Sequence, residues 1–262
     1  MRESEGVGRR WLYLSPHFDD VVLSCGGMVA AQAQKGVPVE VATVFAAGPA
    51  SGEELTAFAR WQHERWGDVE TAYQRRREED QAALVALGAR PLWLPFRDAI
   101  YRGQRYVSDE ALVGQVHPAE ASLPTEIARA LVERLSPEAV VCLPLSAGRH
   151  VDHQLVVGLA GEMATRGAAI AFYEDFPYAS RPGAVEEAIA RLGLAVTPHV
   201  IDVSEQIEAK IAAIALYASQ VPVIFRHEGG TVPAMARAVR SYAEAVAGQP
   251  GRYAERLWWL RA

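Results

Sequence analysis

An α/β architecture on a mainly parallel sheet is what this sequence predicts, and three observations predict it. Short apolar runs of β type recur along the chain, at 11–16, 39–46, 91–96, 139–145, 170–176 and 199–203. Patterns of helical period fill the intervals between them. The runs are apolar throughout rather than alternating, as strands are when helices cover both faces of a sheet. Together these give a Rossmann-like three-layer sandwich, in which ligands bind outside the carboxyl ends of the strands.

The elements follow in order. Residues 20–35 carry Val22, Met28 and Ala33 toward one face and stop at Gly36, a helix-ending residue. A long charged helix is expected over 62–87, ending in LVALG, and further helices over 120–135, 151–166, 183–192, 205–219 and 232–247. Residues 97–119 read as a long polar loop, and loops of that length in a compact domain are commonly functional. No linker-like stretch or internal repeat divides the chain, so residues 1–262 are expected to form one domain.

Composition narrows the function classes. A net charge of −6 and the absence of a basic block beyond Arg75–Arg77 argue against a nucleic-acid partner. No apolar run approaches the ~20 residues of a membrane span, and the N-terminus lacks the apolar core of a signal peptide. Cys25 and Cys142 sit in apolar runs and read as small core residues in a reducing compartment. A cytoplasmic protein is therefore expected, and a homo-oligomer is compatible with all of this.

The chemistry is concentrated in two short segments. SPHFDD (15–20) follows the first strand and supplies His17, Asp19 and Asp20; RHVDH (149–153) follows the fourth and supplies His150, Asp152 and His153. Both fall at carboxyl ends of parallel strands, so the topology brings them to one sheet edge. Catalytic zinc typically keeps three protein ligands and one open position. His17 and Asp20 can supply two of these. Of His150 and His153, one can be the third and the other can face a substrate. Asp19, beside a ligand, is placed to take a proton from an attacking water. Asp152 could orient a neighbouring imidazole and favour its charged form, and a cationic His beside a reacting carbonyl would steady an oxyanion. In the long loop, Asp98, Tyr101 and Arg102 are candidates for substrate binding.

SPHFDDVVLSCGG with RHVDH resembles the PIG-L/LmbE-like superfamily of zinc-dependent N-deacetylases, which act on N-acetylglucosamine conjugates. RRREEDQAALVALG (75–88), FYEDFPY (172–178) and KIAAIALYASQ (210–220) are similar to further segments of that family. The resemblance implies a metal site of His17, Asp20 and His153 holding Zn2+ or another divalent ion. It implies Asp19 as general base, His150 as the residue stabilising the tetrahedral intermediate with Asp152 as its partner, and Arg76 as a substrate-binding arginine. The implied partner is a small amino-sugar conjugate. Phe18 stands where the family commonly has Pro, and Val21 where it usually has an acidic residue; neither change removes a donor.

Plainer readings exist for each residue. Asp19 and Asp20 suit a helix N-terminus without any metal, and the Arg75–Arg77 run suits a solvated helix face. His63, His117, His199 and His227 have no partner motif, and Trp258 and Trp259 suit a core or an interface. A metal-dependent phosphoesterase or a non-catalytic sugar- or nucleotide-binding module are the competing functions. The stretch SCGG lacks the glycine spacing of a dinucleotide site.

Overall fold

A computed structural model describes residues 9–50, 52–66, 71–135 and 139–261. Seven strands form one sheet: β1 (Trp11–Ser15), β2 (Val39–Thr43), β3 (Arg90–Trp93), β4 (Val140–Pro144), β5 (Ala169–Tyr173), β6 (Val196–Asp202) and β7 (Ala254–Leu260). Their order is β3-β2-β1-β4-β5-β7-β6. The first five are parallel to one another. Among the described strands β7 is the one of reversed direction, pairing antiparallel with both β5 and β6. The mainly parallel α/β sandwich is thus as the sequence predicts.

Alternation along each strand builds two cores. Trp11 and Tyr13 of β1, with Val140 and Cys142 of β4, face one helical layer. Leu12 and Leu14, with Val141 and Leu143, face the other. The first layer contains α1 (Asp20–Gln34), α3 (Ala72–Ala86), α9 (Ile207–Ala215), α10 (Val221–Ile224) and α11 (Val232–Ala247); the second contains α5 (Leu123–Leu131), α6 (Val151–Val157), α7 (Ala160–Thr165) and α8 (Ala184–Leu192). Cys25 and Cys142 are both buried and free. Two glycines let α1 close on its surroundings: a Cβ at Gly27 would lie 2.8 Å from Val203, and one at Gly26 2.9 Å from Lys210.

Several boundaries differ from expectation. The helix expected over 62–87 is two helices, α2 (Ala57–Trp66) and α3, with residues 67–70 outside those described. The segment 97–119 is not an open loop. It contains α4 (Asp109–Leu112) and 3-10 turns at Ala99–Tyr101 and Pro118–Glu120, and it packs Ile100, Tyr101, Tyr106 and Leu112 into a third apolar cluster. Strand β7, which holds Trp258 and Trp259, has no counterpart among the expected runs. Its Leu257 is buried, and Trp258 donates from Nε1 to Glu174.

This topology places the site. The chain builds β1, β2 and β3 outward in one direction, then returns to lay β4 on the other side of β1. The sheet order reverses between β1 and β4, and the crevice at such a reversal is where open α/β sheets bind ligands. Among the described residues no helix is long and apolar enough to cross a membrane.

Candidate metal centre and cleft

A cleft of about 750 Å³ opens at the carboxyl ends of β1 and β4. His17, Asp19, Asp20, Arg76, Asp98, His150 and His153 all line it. Asp19 occupies the N-cap position of α1, yet its side chain makes no cap hydrogen bond. The plain capping explanation therefore does not account for it. Asp20 turns back instead, and its Oδ2 accepts from the His17 backbone N–H at 2.7 Å.

The second segment is shaped by an unusual backbone. Ser146 (φ 59°) and Arg149 (φ 60°) both adopt left-handed conformations that side chains other than glycine seldom take. Gly148 lies under the Tyr178 ring, and a Cβ there would come 2.5 Å from it. Ala147 donates its N–H to Asp175 Oδ2 at 3.1 Å, and the other oxygen of Asp175 lies 2.6 Å from His153 Nδ1. Asp175, at the carboxyl end of β5, thus fixes both the turn and the His153 ring.

The three expected donors converge. Asp20 Oδ2 lies 3.5 Å from His17 Nδ1 and 3.3 Å from His153 Nε2. Tetrahedral zinc with bonds near 2.0–2.1 Å separates its ligands by about 3.4 Å, so this donor set fits such an ion. His153 presents Nε2 because Asp175 takes Nδ1, the carboxylate backing common to metal-bound histidines. A second group that could hold a metal, His17, His150 and Asp152, shares His17 with the first.

Charge within the cleft is strongly partitioned. Burial alone would lower the His153 ring, but the Asp20 and Asp175 carboxylates push it up to about 10. Burial likewise opposes the charge on His17, and Asp98, Asp152 and Asp20 hold it well above the usual histidine range. Asp20 is held well below the carboxylate range by His153 and His17, despite burial. Its neighbour behaves oppositely: burial pushes Asp19 up to about 7 against the pull of Arg76, and the Asp20 charge adds to the rise. Two adjacent carboxylates thus differ widely in acidity, the pattern that separates a ligand from a base.

Arg76 is the middle arginine of its run, and it alone of the three is buried. Its Nη2 stands 3.8 Å from Asp19 Oδ2, and its guanidinium lies 5.6 Å from the Phe18 ring centre and 4.5 Å from that of Trp66. Phe18, the departure from Pro, is therefore part of the shelf under Arg76. The Arg76 Nε is buried without a hydrogen-bond partner.

Three expectations need correction. Asp152 lies beside both His17 and His150, but the imidazole its carboxylate hydrogen-bonds is that of His17. Its Oδ2 accepts from His17 Nε2 at 2.9 Å and from the Ala99 N–H at 3.0 Å, and its Oδ1 lies 2.6 Å from Arg102 Nη1. In the metal-free fold burial, with the His17 and His153 rings beside it, pushes the His150 ring down to about 3, outweighing the Asp152 charge, which raises it as expected. Its Nδ1 accepts from the Asp152 N–H at 3.2 Å, which leaves Nε2 as the N–H of a neutral ring. Tyr101 and Arg102 do not line the cleft. Tyr101 is buried with its hydroxyl 2.5 Å from His63 Nε2, and Arg102 lies behind the site on Asp152 and Glu120. Asp98 does line the cleft, with Oδ2 3.7 Å from His17 Nε2. Asp175 and Tyr178 are site residues that sequence reasoning did not find, although FYEDFPY ends the strand next to β4 and so reaches the same edge.

Residues 12–164 match the family described as PIG-L: GlcNAc-PI de-N-acetylase. The chain belongs to the PIG-L family. A 2'-N-acetylparomamine deacetylase of Streptomyces fradiae is 32% identical over 273 aligned residues, covering 95% of this chain and 89% of its own length. Among solved structures, a deacetylase of the teicoplanin biosynthesis pathway superposes with a TM-score of 0.80 at 29% identity, covering 96% of this chain and 98% of its own. The zinc-inhibited form of a teicoplanin deacetylase superposes with a TM-score of 0.76 at 28% identity, with 96% and 98% covered. Each of these relatives is named as a deacetylase.

Proposed function

We propose that this chain hydrolyses the N-acetyl group of an N-acetylglucosamine-type conjugate, releasing acetate and a free amine. In this reading a divalent metal, zinc first among the candidates, is held by His17, Asp20 and His153. The observation that carries it is the pairing of a compact two-His, one-carboxylate donor set with an adjacent buried carboxyl, Asp19, that lines the same cleft and makes no cap hydrogen bond. A metal in that place would lower the pKa of a water to near neutrality and polarise a carbonyl oxygen.

The rest is assigned to side chains of this chain. Asp19 takes a proton from the attacking water and returns it to the leaving amine. His150, as a neutral imidazole, donates Nε2–H to the oxygen that becomes negative on attack. A neutral donor preorganised in a water-poor site stabilises that charge without first having to be protonated. Arg76 holds Asp19 and offers a cationic surface to the sugar conjugate, and Asp98 offers acceptors to its hydroxyls.

A phosphoesterase of the two-metal type would need a second metal centre. Both donor groups found among the described residues share His17, which favours one metal centre over two. The test is acetate release from a panel of N-acetylglucosaminyl conjugates, with phosphate release measured from matched phosphoesters. Acetate from at least one conjugate, abolished by a chelator, is expected. Phosphate release without acetate would replace this reading with the alternative.

A further inference from the structure

Arg102, expected from the sequence to meet substrate, is 7% exposed at its side chain and sits behind the cleft. Its guanidinium is held through Nε and Nη1. Nε donates to Glu120 Oε1 at 2.9 Å, Nη1 donates to the Arg97 carbonyl at 2.9 Å, and the same Nη1 lies 2.6 Å from Asp152 Oδ1. The rings of Phe45 and Tyr106 lie 5.1 and 5.2 Å from its centre. Glu120 is itself buried and also receives Arg105 Nη1 at 3.1 Å and the Tyr106 hydroxyl at 2.9 Å. The result is a buried line of alternating charge, Glu120, Arg102, Asp152, ending on His17 Nε2.

We infer that Arg102 is a positioning residue for the metal centre, fixing Asp152 so that Asp152 fixes the His17 ring. The inference rests on the metal set proposed above. A carboxylate has only acceptors, so His17 Nε2 must be the donor in its contact with Asp152, and in the neutral ring that a metal would require Nδ1 is then the lone pair. Nδ1 is the atom that faces Asp20. Asp152 is fully buried, and a buried charge is costly unless it is paired. Ala99 and His17 hydrogen-bond Oδ2; Oδ1 has no hydrogen-bond partner, and the Arg102 guanidinium 2.6 Å away is the charge that compensates it. Segment 97–120 thereby acts as a brace behind the metal ligands.

The test is zinc affinity, read by chelator competition on R102M, R102K and R102M/E120Q, alongside the melting temperature of each metal-free protein. Loss of a group that orients a metal ligand typically weakens binding by about 10- to 100-fold, and R102M is expected to show that loss. R102K, which keeps the charge, regains part of it. A merely structural Arg102 would act through the buried Glu120 it neutralises, and E120Q removes that burden. The double variant is therefore expected to recover melting temperature but not zinc affinity, and it remains readable if R102M alone does not fold. Zinc affinity equal to wild type in R102M, or returning with stability in the double variant, would overturn the inference while leaving the metal set standing. A wild-type protein that holds no zinc would overturn the metal set and the inference together.

Discussion

Replacing Asp19 with Asn should stabilise the metal-free protein at alkaline pH while removing the carboxylate proposed as the base. The carboxyl has an ordinary value of 3.8 and stands at about 7 in the fold. The folded state therefore holds this proton more tightly than the unfolded chain does. Between those two values the unfolded chain is ionised and the folded protein is not, so stability falls as pH rises and levels off above about 7. The slope is about 1.4 kcal/mol per pH unit, and the full span of about three units is on the order of 4 kcal/mol. The amide introduced by D19N cannot ionise and escapes this cost. Urea unfolding of chelator-treated wild type and D19N at pH 5, 6, 7 and 8 reads the difference directly. The stability gap in favour of D19N should widen from pH 5 to pH 7 and then stay constant. A gap that is flat, or that narrows with pH, would refute a raised pKa at Asp19 in the metal-free fold.

Other consequences follow from the same geometry. Arg76→Met removes a cation 3.8 Å from Asp19, so the acidic limb of the kcat/KM profile should move up by about 1–3 pH units, the usual effect of an arginine beside a carboxylate; an unmoved limb would show that another group sets it. His150→Ala should lower kcat by about 10²–10³, the typical cost of one oxyanion donor, with metal content retained by mass spectrometry of the native protein; lost metal would make His150 a ligand. Tyr101→Phe should cost about 0.5–1.5 kcal/mol of stability for one buried hydrogen bond and leave KM unchanged, since Tyr101 faces His63 and not the cleft; a raised KM would return Tyr101 to the substrate.

The fold class was legible because a parallel sheet covered on both faces writes continuous apolar runs. The two donor segments were legible because each follows such a run. Strand β7 was hidden because its residues AERLWWL mix charge with aromatics: Glu255 is buried against Lys210, and Arg256 lies on Glu174. No local pattern announces those long-range pairs. The polar segment 97–119 misled for a related reason. Its charges read as solvent-facing, yet Arg102, Glu120 and Asp152 neutralise one another in the interior. The orientation of Asp152 was likewise out of reach, because its place beside His150 and His153 in RHVDH says nothing of which ring its carboxylate meets across the fold. Asp175 acts from β5 on a turn and a ring that belong to β4 and α6, a relation that exists only once those strands pair.

The central claim is that His17, Asp20 and His153 hold a metal that Asp19 then uses without binding it. The most direct measurement is zinc titration of chelator-treated wild type and D19N, following bound zinc and acetate release from an N-acetylglucosaminyl conjugate in the same samples. One equivalent of zinc should bind to both proteins with similar affinity, and acetate release should return with it in wild type alone. Zinc that binds wild type but not D19N would make Asp19 a ligand. Acetate release from the chelated wild type, undiminished and unchanged by added zinc, would contradict the account at its root.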